Sequence, residues 1–449
     1  MAEISILIKK APPTLKKLIY RIAPFDRRYG QTFVNTLEFL NNSSKWSKEE
    51  LKNYQFEQFK LLIEHCYENV PYYNEIFKAT GIKPIDFKNL EDMAKIPTLS
   101  KQQISRNFEK LHARNFDRFK QYEVKTSGST GEKLRFHITD DVYKKEAAFV
   151  LQAFHAHGAT MYDKPSVWLR RFVPIDRNSK LQYYDHELRR LYMSAYHLND
   201  VTILSYLAEI EKRRYHTLVA YPSSAYILAL LCERNSLELP NIRKIHVSSE
   251  MLLPEWRKKI IDVFKIVPVA HYGAIEKVSF MYQTETSANY FPRLEYGVNE
   301  FFKNDLGHYN IVATGFLNWN MPFIRYLTED SVSKPLMING QEVISEILGR
   351  TSDVLVAKDG SLLPGVNFYS WIDKKIEGVA MFRITQKSRS HVVFEFVRNT
   401  FYSTQTYEDI KKGLNSRLGD LNFQIEEVSE ISRHPNSGKI RCIINEIPA

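Results

Sequence analysis

Between about residues 167 and 327, short apolar runs rich in β-branched residues alternate with segments of helical periodicity. Thr217 to Tyr221, Lys244 to Val247 and Val267 to Tyr272 read as strands, and Ala225 to Cys232 and Glu255 to Phe264 as the helices between them. A parallel neighbour strand is reached only by a long crossover, so this rhythm predicts an α/β domain with a substantially parallel sheet. Ligands of such a sheet sit at the carboxyl ends of its strands. The flanks read differently. Leu51, Tyr54, Phe59, Leu62, Ile63, Cys66 and Val70 recur every three or four positions, which predicts a helix with one buried stripe, ended by Pro71. Beyond Arg350, His391 to Val397 alternates, with Val392, Phe394 and Phe396 on one face. A helix follows with Tyr407, Ile410, Leu414 and Leu418 on one stripe, and Phe423 to Val428 and Ile440 to Ile444 return to strand character. That texture predicts a separate α+β domain of about a hundred residues.

The chain has 449 residues, enough for about three domain-sized units and a large core. Its 44% hydrophobic and 25% charged residues exclude disorder, collagen-like repeats and coiled coil for the bulk. The net charge of +10 suits a phosphate-rich ligand, nucleic acid or an anionic membrane surface equally well. Lys and Arg are dispersed, without interleaved aromatic residues, which argues against nucleic acid. Cys66, Cys232 and Cys442 are far apart and odd in number, so neither a disulfide framework nor a zinc site is written here, and a reducing cytoplasm fits. Met1 to Pro24 holds five Lys and Arg among Ile and Leu but no run apolar enough for a signal peptide or membrane span. It reads either as a basic amphipathic helix on a membrane surface or as a solvated docking helix.

Glycine occupies only 17 positions, so its clusters are informative. Thr126-Ser127-Gly128-Ser129-Thr130-Gly131 follows the expected strand Tyr122 to Lys125. A loop of this composition turns backbone N–H groups and hydroxyls toward phosphate oxygens, and the absence of a following Gly-Lys-Ser/Thr separates it from a Walker loop. Ser248-Ser249-Glu250 ends one strand, Tyr272-Gly273-Ala274-Ile275-Glu276 ends the next, and Arg325 to Asp330 closes the domain. Gly349 to Asp353 and Pro435 to Ile440 come later.

In this order and spacing the set resembles the adenylate-forming superfamily of acyl-CoA synthetases, peptide-synthetase adenylation domains and luciferases. It is most similar to the phenylacetate-CoA ligase and CapK-like branch, whose N-terminal signature resembles Glu64 to Gly81 and Leu90 to Lys101. The resemblance covers about residues 51 to 446. It implies an α/β adenylate-forming fold: a helical extension over 1–50, a large domain over 51–349 and a small mobile α+β lid over 350–449. The implied chemistry is attack of a carboxylate on the α-phosphorus of ATP, then transfer of the acyl group to an acceptor. That acceptor is either coenzyme A or an amine or hydroxyl on a sugar, amino acid or lipid-linked intermediate, and the CapK-like branch is associated with polysaccharide clusters.

By this resemblance Thr126 to Gly131 hold the phosphates, Thr130 and Glu276 hold Mg²⁺, and Ser249, Glu250, Tyr272 and Gly273 line the adenine. Asp330 accepts the ribose hydroxyls, Arg350 lies beside ribose and phosphate, and Lys439 reaches in from the small domain to the carboxylate and α-phosphate. Such a transfer rests on positioning and charge stabilisation, which suits a lysine that arrives and leaves with a domain. The sequence departs from the family pattern at Lys133, where proline is usual, at Ile275, which replaces a hydroxyl residue, at Glu329, which replaces glycine, and at Ser352, which replaces the hinge aspartate before Asp353. These departures leave open a non-catalytic binding protein of the same fold. For the acid pocket, Trp168, Arg170, Arg171, Phe172, Tyr221, Ser223, Ser224 and His271 lie at expected strand ends. Adjacent arginines on a strand point to opposite faces, so one of Arg170 and Arg171 is expected to face the cleft. An inward guanidinium needs an anionic or polyhydroxyl partner, which favours a small polar or aromatic acid over a long aliphatic one.

Overall fold

The protein is described by a computed structural model over residues 29–116, 121–125, 134–158, 166–170, 181–186, 188–249, 252, 254–303, 309–347, 354–360, 362–364, 368, 371–372, 375–398, 401–429, 431 and 443–447, with Pro12 and Leu15. Most of the basic N-terminal segment, the phosphate loop, Arg171, Phe172, Glu250, Arg350, Ser352, Asp353 and Lys439 lie outside these residues.

Two helices open the described chain, α1 (Gln31–Ser43) and α2 (Lys48–Asn69). Ser47 caps α2 reciprocally: its side chain accepts from the Glu50 amide, and Glu50 accepts from the Ser47 amide. The expected stripe is buried at Phe59, Leu62, Ile63 and Cys66. Pro71 ends α2 and also begins α3 (Pro71–Thr80), where its missing N–H leaves no helical bond unmade. After the short helix α4 (Lys101–Arg106), the hairpin β1 (Gln121–Lys125) and β2 (Arg135–Thr139) pairs Lys125 with Arg135, so the phosphate loop is the hairpin's own connection.

Helix α5 (Asp140–His155) leads into an eight-stranded sheet. Its strands are β3 (Ser166–Arg170), β4 (Gln182–Asp185), β5 (Arg190–Ser194), β6 (Thr217–Ala220), β7 (Lys244–Ser248), β8 (Pro268–Gly273), β9 (Phe280–Thr284) and β10 (Ser287–Pro292), in the order β10-β9-β8-β7-β6-β3-β5-β4. The run β5-β3-β6-β7-β8 is parallel, as the alternation predicts, and antiparallel strands close both edges. Helices α6 (Ile203–Arg213), α7 (Pro222–Arg234) and α8 (Pro254–Phe264) are the crossovers.

A three-stranded antiparallel sheet follows: β11 (Gly297–Lys303), β12 (Tyr309–Gly315) and β13 (Tyr326–Val332). Gly315 passes so close to the backbone after Glu276 that an added Cβ would sit 2.3 Å from the Lys277 carbonyl oxygen. The Leu90 to Lys101 signature anchors this sheet. Leu99 exchanges 2.9 Å backbone bonds with Arg325 and Leu327, and the Arg325 guanidinium spans the Ile96 carbonyl and both oxygens of Glu300.

Two small hairpins, β14 (Leu336–Ile338) with β15 (Gln341–Val343) and β16 (Val354–Val356) with β17 (Leu362–Pro364), lead to a second hydrophobic core. There β18 (Val379–Ser388) and β19 (His391–Arg398) form an antiparallel pair flanked in parallel by β21 (Ile443–Asn445) and β20 (Asn422–Glu427). Val392, Phe394 and Phe396 are buried as their alternation predicts. Helix α9 (Thr404–Leu418) buries Ile410, Leu414 and Leu418, but Tyr407 is 37% exposed. Thr406 and Gly413 complete the stripe instead, because the ring of Trp371 lies where a side chain at Gly413 would go.

Candidate active site

Strand β8 carries the centre of the site. Its last residues alternate across the sheet, so His271 and Tyr272 face opposite sides. The Tyr272 hydroxyl donates to Asp330 Oδ2 at 2.8 Å. Burial, with Asp330 adding to it, pushes that phenol well above its ordinary range, so it stays a donor. The turn after β8 delivers Glu276, which is 8% exposed and accepts from the Tyr326 hydroxyl at 2.9 Å. Its carboxyl group is raised by burial, with nearby Asp330 adding to the rise, while the Tyr326 bond and Lys101 oppose it. Two carboxylates therefore share one site with one buried ammonium, from Lys101, beside them.

Lys101 is the residue that motif reasoning missed, although it ends the N-terminal signature. It forms an ion pair with Glu329, the carboxylate standing where glycine is usual. Glu329 has a left-handed backbone, at φ 62°, the region that favours glycine. The extra negative charge next to Asp330 is thus matched by a lysine held only 6% exposed. Ser249 is likewise left-handed, at φ 75°. The phosphate-loop hairpin joins this group through packed rings: Phe136 on β2 meets Phe323 at 5.6 Å, and Phe323 meets Tyr326 at 5.5 Å.

On the opposite face of the sheet, register aligns the expected acid-pocket residues. Trp168 pairs with Val219, Val219 with His246, and Ser248 with His271. Residues two apart on a strand share a face, so Arg170, Tyr221, Ser248 and His271 form one row at the carboxyl ends. Arg170 donates to the Ser248 carbonyl at 3.1 Å and to its hydroxyl, and its guanidinium lies 4.9 Å from the Tyr221 ring. Arg170 is thus the arginine that turns toward this row. Pro222 begins α7, which buries Ser224 and carries Ser223 beside Tyr221. His271 Nδ1 meets His246 Nε2 at 2.7 Å. That contact and its partner His246 carry no motif and could not be read from the sequence.

Comparisons with known proteins bear on the fold. The family model described as the CapK C-terminal domain matches residues 355–446, the second core. Protein CapK of Staphylococcus aureus is 26% identical over 413 residues, 89% of each chain. Phenylacetate-coenzyme A ligase of Escherichia coli is 32% identical over 124 residues, 26% of this chain and 27% of that protein. The chain is similar to the CapK and phenylacetate-CoA ligase branch of the adenylate-forming proteins. Its fold is that of 2-hydroxyisobutyryl-CoA ligase in complex with 2-HIB-AMP and CoA in the thioesterification state, with a TM-score of 0.58, 15% identity and coverage of 89% of this chain and 91% of that one. Ile275 is 44% exposed beside the buried Glu276, and Glu329 is ion-paired. Among the described residues no helix is long and apolar enough to cross a membrane, and Cys66 and Cys232 are buried free thiols.

Proposed function

We propose that this chain uses ATP to adenylate a carboxylic acid and then passes the acyl group to an acceptor. The observation that carries this reading is the joint placement of Tyr272, Glu276 and Asp330 around the end of β8, each held by a named partner, next to the hairpin that bears the phosphate loop. In the first step a carboxylate oxygen attacks the α-phosphorus, the bond to the bridging oxygen breaks, and pyrophosphate leaves. In the second the acceptor attacks the acyl carbon and AMP leaves.

Asp330, oriented by Tyr272, accepts the ribose hydroxyls in charge-assisted bonds. Among the described residues no three His, Cys, Asp or Glu side chains gather as a metal cluster, and Glu276 is a single buried carboxylate repelled by Asp330. That donor set fits Mg²⁺, which takes one or two carboxylates and completes its shell with phosphate and water oxygens. When bound, the ion supplies charge neutralisation on the phosphates. Thr130 and the other loop hydroxyls face the same phosphates in this reading, Ser249, Glu250 and Gly273 border the base, and Arg350 and Lys439 supply positive charge from the C-terminal part. Coenzyme A, itself rich in phosphate, matches the net charge of +10 as acceptor.

The test is isotope exchange between pyrophosphate and ATP, dependent on an added acid, in the full chain and in Lys439→Ala. Exchange is expected in the first and lost in the second, with unchanged circular dichroism. Normal exchange in Lys439→Ala would remove that lysine from the reaction.

A further inference from the structure

Three histidines form a chain beneath the row of acid-pocket residues. His157, just after α5, places Nδ1 3.0 Å from the Ala153 carbonyl oxygen. A carbonyl only accepts, so this nitrogen carries the proton, and the neutral ring leaves Nε2 as a bare lone pair. Nε2 is buried with no partner, as suits a bare acceptor better than an N–H. His246 stacks on Phe154, 3.7 Å away, and lies nearly parallel to His157, 5.1 Å away, with its Nδ1 also buried and without a partner. A proton on that nitrogen would be an orphaned buried donor, so the proton belongs on Nε2, which then donates to His271 Nδ1. His271 must therefore carry its own proton on Nε2. On a ring whose Nδ1 faces His246, Nε2 lies on a different edge, and His271 is only half-buried. Burial holds all three rings neutral, with His271 drawn down to about 3 and His157 to about 4.

We propose that His271 is the specificity-determining residue of the acid pocket, its Nε2–H fixed as a donor by the bond from His246 so that the pocket takes small acids bearing a hydroxyl, ether or carbonyl oxygen. The neighbouring guanidinium of Arg170 strengthens the discrimination. A substituent facing this row meets a fixed N–H and a cation, so an oxygen acceptor is bonded, a methyl leaves the donor unsatisfied, and the ammonium of an amino acid is repelled. This narrows the small polar or aromatic acids that the sequence favours to those bearing an oxygen acceptor, and it rests on the adenylation reading above.

Two measurements test it. In the full chain labelled with ¹⁵N-histidine at pH 7, with His271 assigned by its loss in His271→Gln, its Nε2 should be protonated and its Nδ1 bare; the opposite tautomer overturns the inference whatever the enzyme turns over. Acid-dependent pyrophosphate exchange should then be compared within isosteric sets: lactate, alanine and isobutyrate; and mandelate, phenylglycine and 2-phenylpropionate. The oxygenated member should lead each active set by about tenfold or more in kcat/KM. His271→Phe should erase that preference while leaving the KM for ATP unchanged, and His271→Gln, which keeps a side-chain N–H donor, should restore most of it. A lead by alanine or phenylglycine, or a preference untouched in His271→Phe, refutes the assignment. Absence of exchange with every acid strikes the adenylation reading itself and takes this inference with it.

Discussion

Glu329 shows how a single position absorbs a departure from its family. Its φ of 62° costs a side chain about 1 kcal/mol, yet the carboxylate ion-pairs with the buried ammonium of Lys101. Glu329→Gly should therefore destabilise the protein by about 2–3 kcal/mol despite relieving the backbone, and adding Lys101→Met should recover most of that loss. Urea unfolding of the two single variants and the double variant checks this; additive losses would show that the pair is not coupled. The histidine chain makes a prediction with a definite sign. His157, His246 and His271 have folded values below the ordinary 6.5, so the unfolded chain binds protons that the folded chain refuses. Their contribution is present above pH about 6.5 and is lost as pH falls toward about 4, at up to about 1.4 kcal/mol per histidine per pH unit. Unfolding at pH 7 and 5.5 should show the loss, and His246→Leu should reduce it by one histidine's share.

Within an element, α9 reverses a general rule. Glycine inside a helix ordinarily weakens it by about 1 kcal/mol relative to alanine. At Gly413 an added Cβ would lie 1.9 Å from the Trp371 ring, so Gly413→Ala should destabilise the C-terminal core by about 1–3 kcal/mol through overpacking. Thermal unfolding followed by tryptophan fluorescence reads it, and a stabilised variant would mean that Trp371 moves aside without penalty. Strand β8 works by alternation. One residue, His271, goes to the acid side and the next, Tyr272, to the Asp330 side, so a one-residue slip would exchange the two functions.

For the whole molecule, the two hydrophobic cores belong to different stretches of chain, one ending at Ile344 and the other starting at Leu355. Such cores permit relative motion, and the proposed chemistry needs it, since Lys439 and an incoming acceptor compete for the same space. The C-terminal domain should adopt two arrangements, turned about Ser352 and Asp353. Small-angle scattering with ATP and with an acyl-adenylate analogue should differ; identical curves in every ligand state would count against the swivel.

The sequence alone determined the parallel centre of the main sheet, the α2 stripe, the alternation of β19 and the order of the nucleotide motifs, because these depend on periodicity and on short contiguous segments. It placed Tyr272, Glu276 and Asp330 in their motifs, and it brought Arg170 and Tyr221 to strand ends. Only the tertiary structure decided that Lys101 answers Glu329 across 228 residues, that Trp371 claims the space over Gly413, and that His246 meets His271. Each of these is a contact between segments distant in the chain, made by residue types that are as often simple surface or core, and sequence spacing holds no record of which distant partner a side chain will meet.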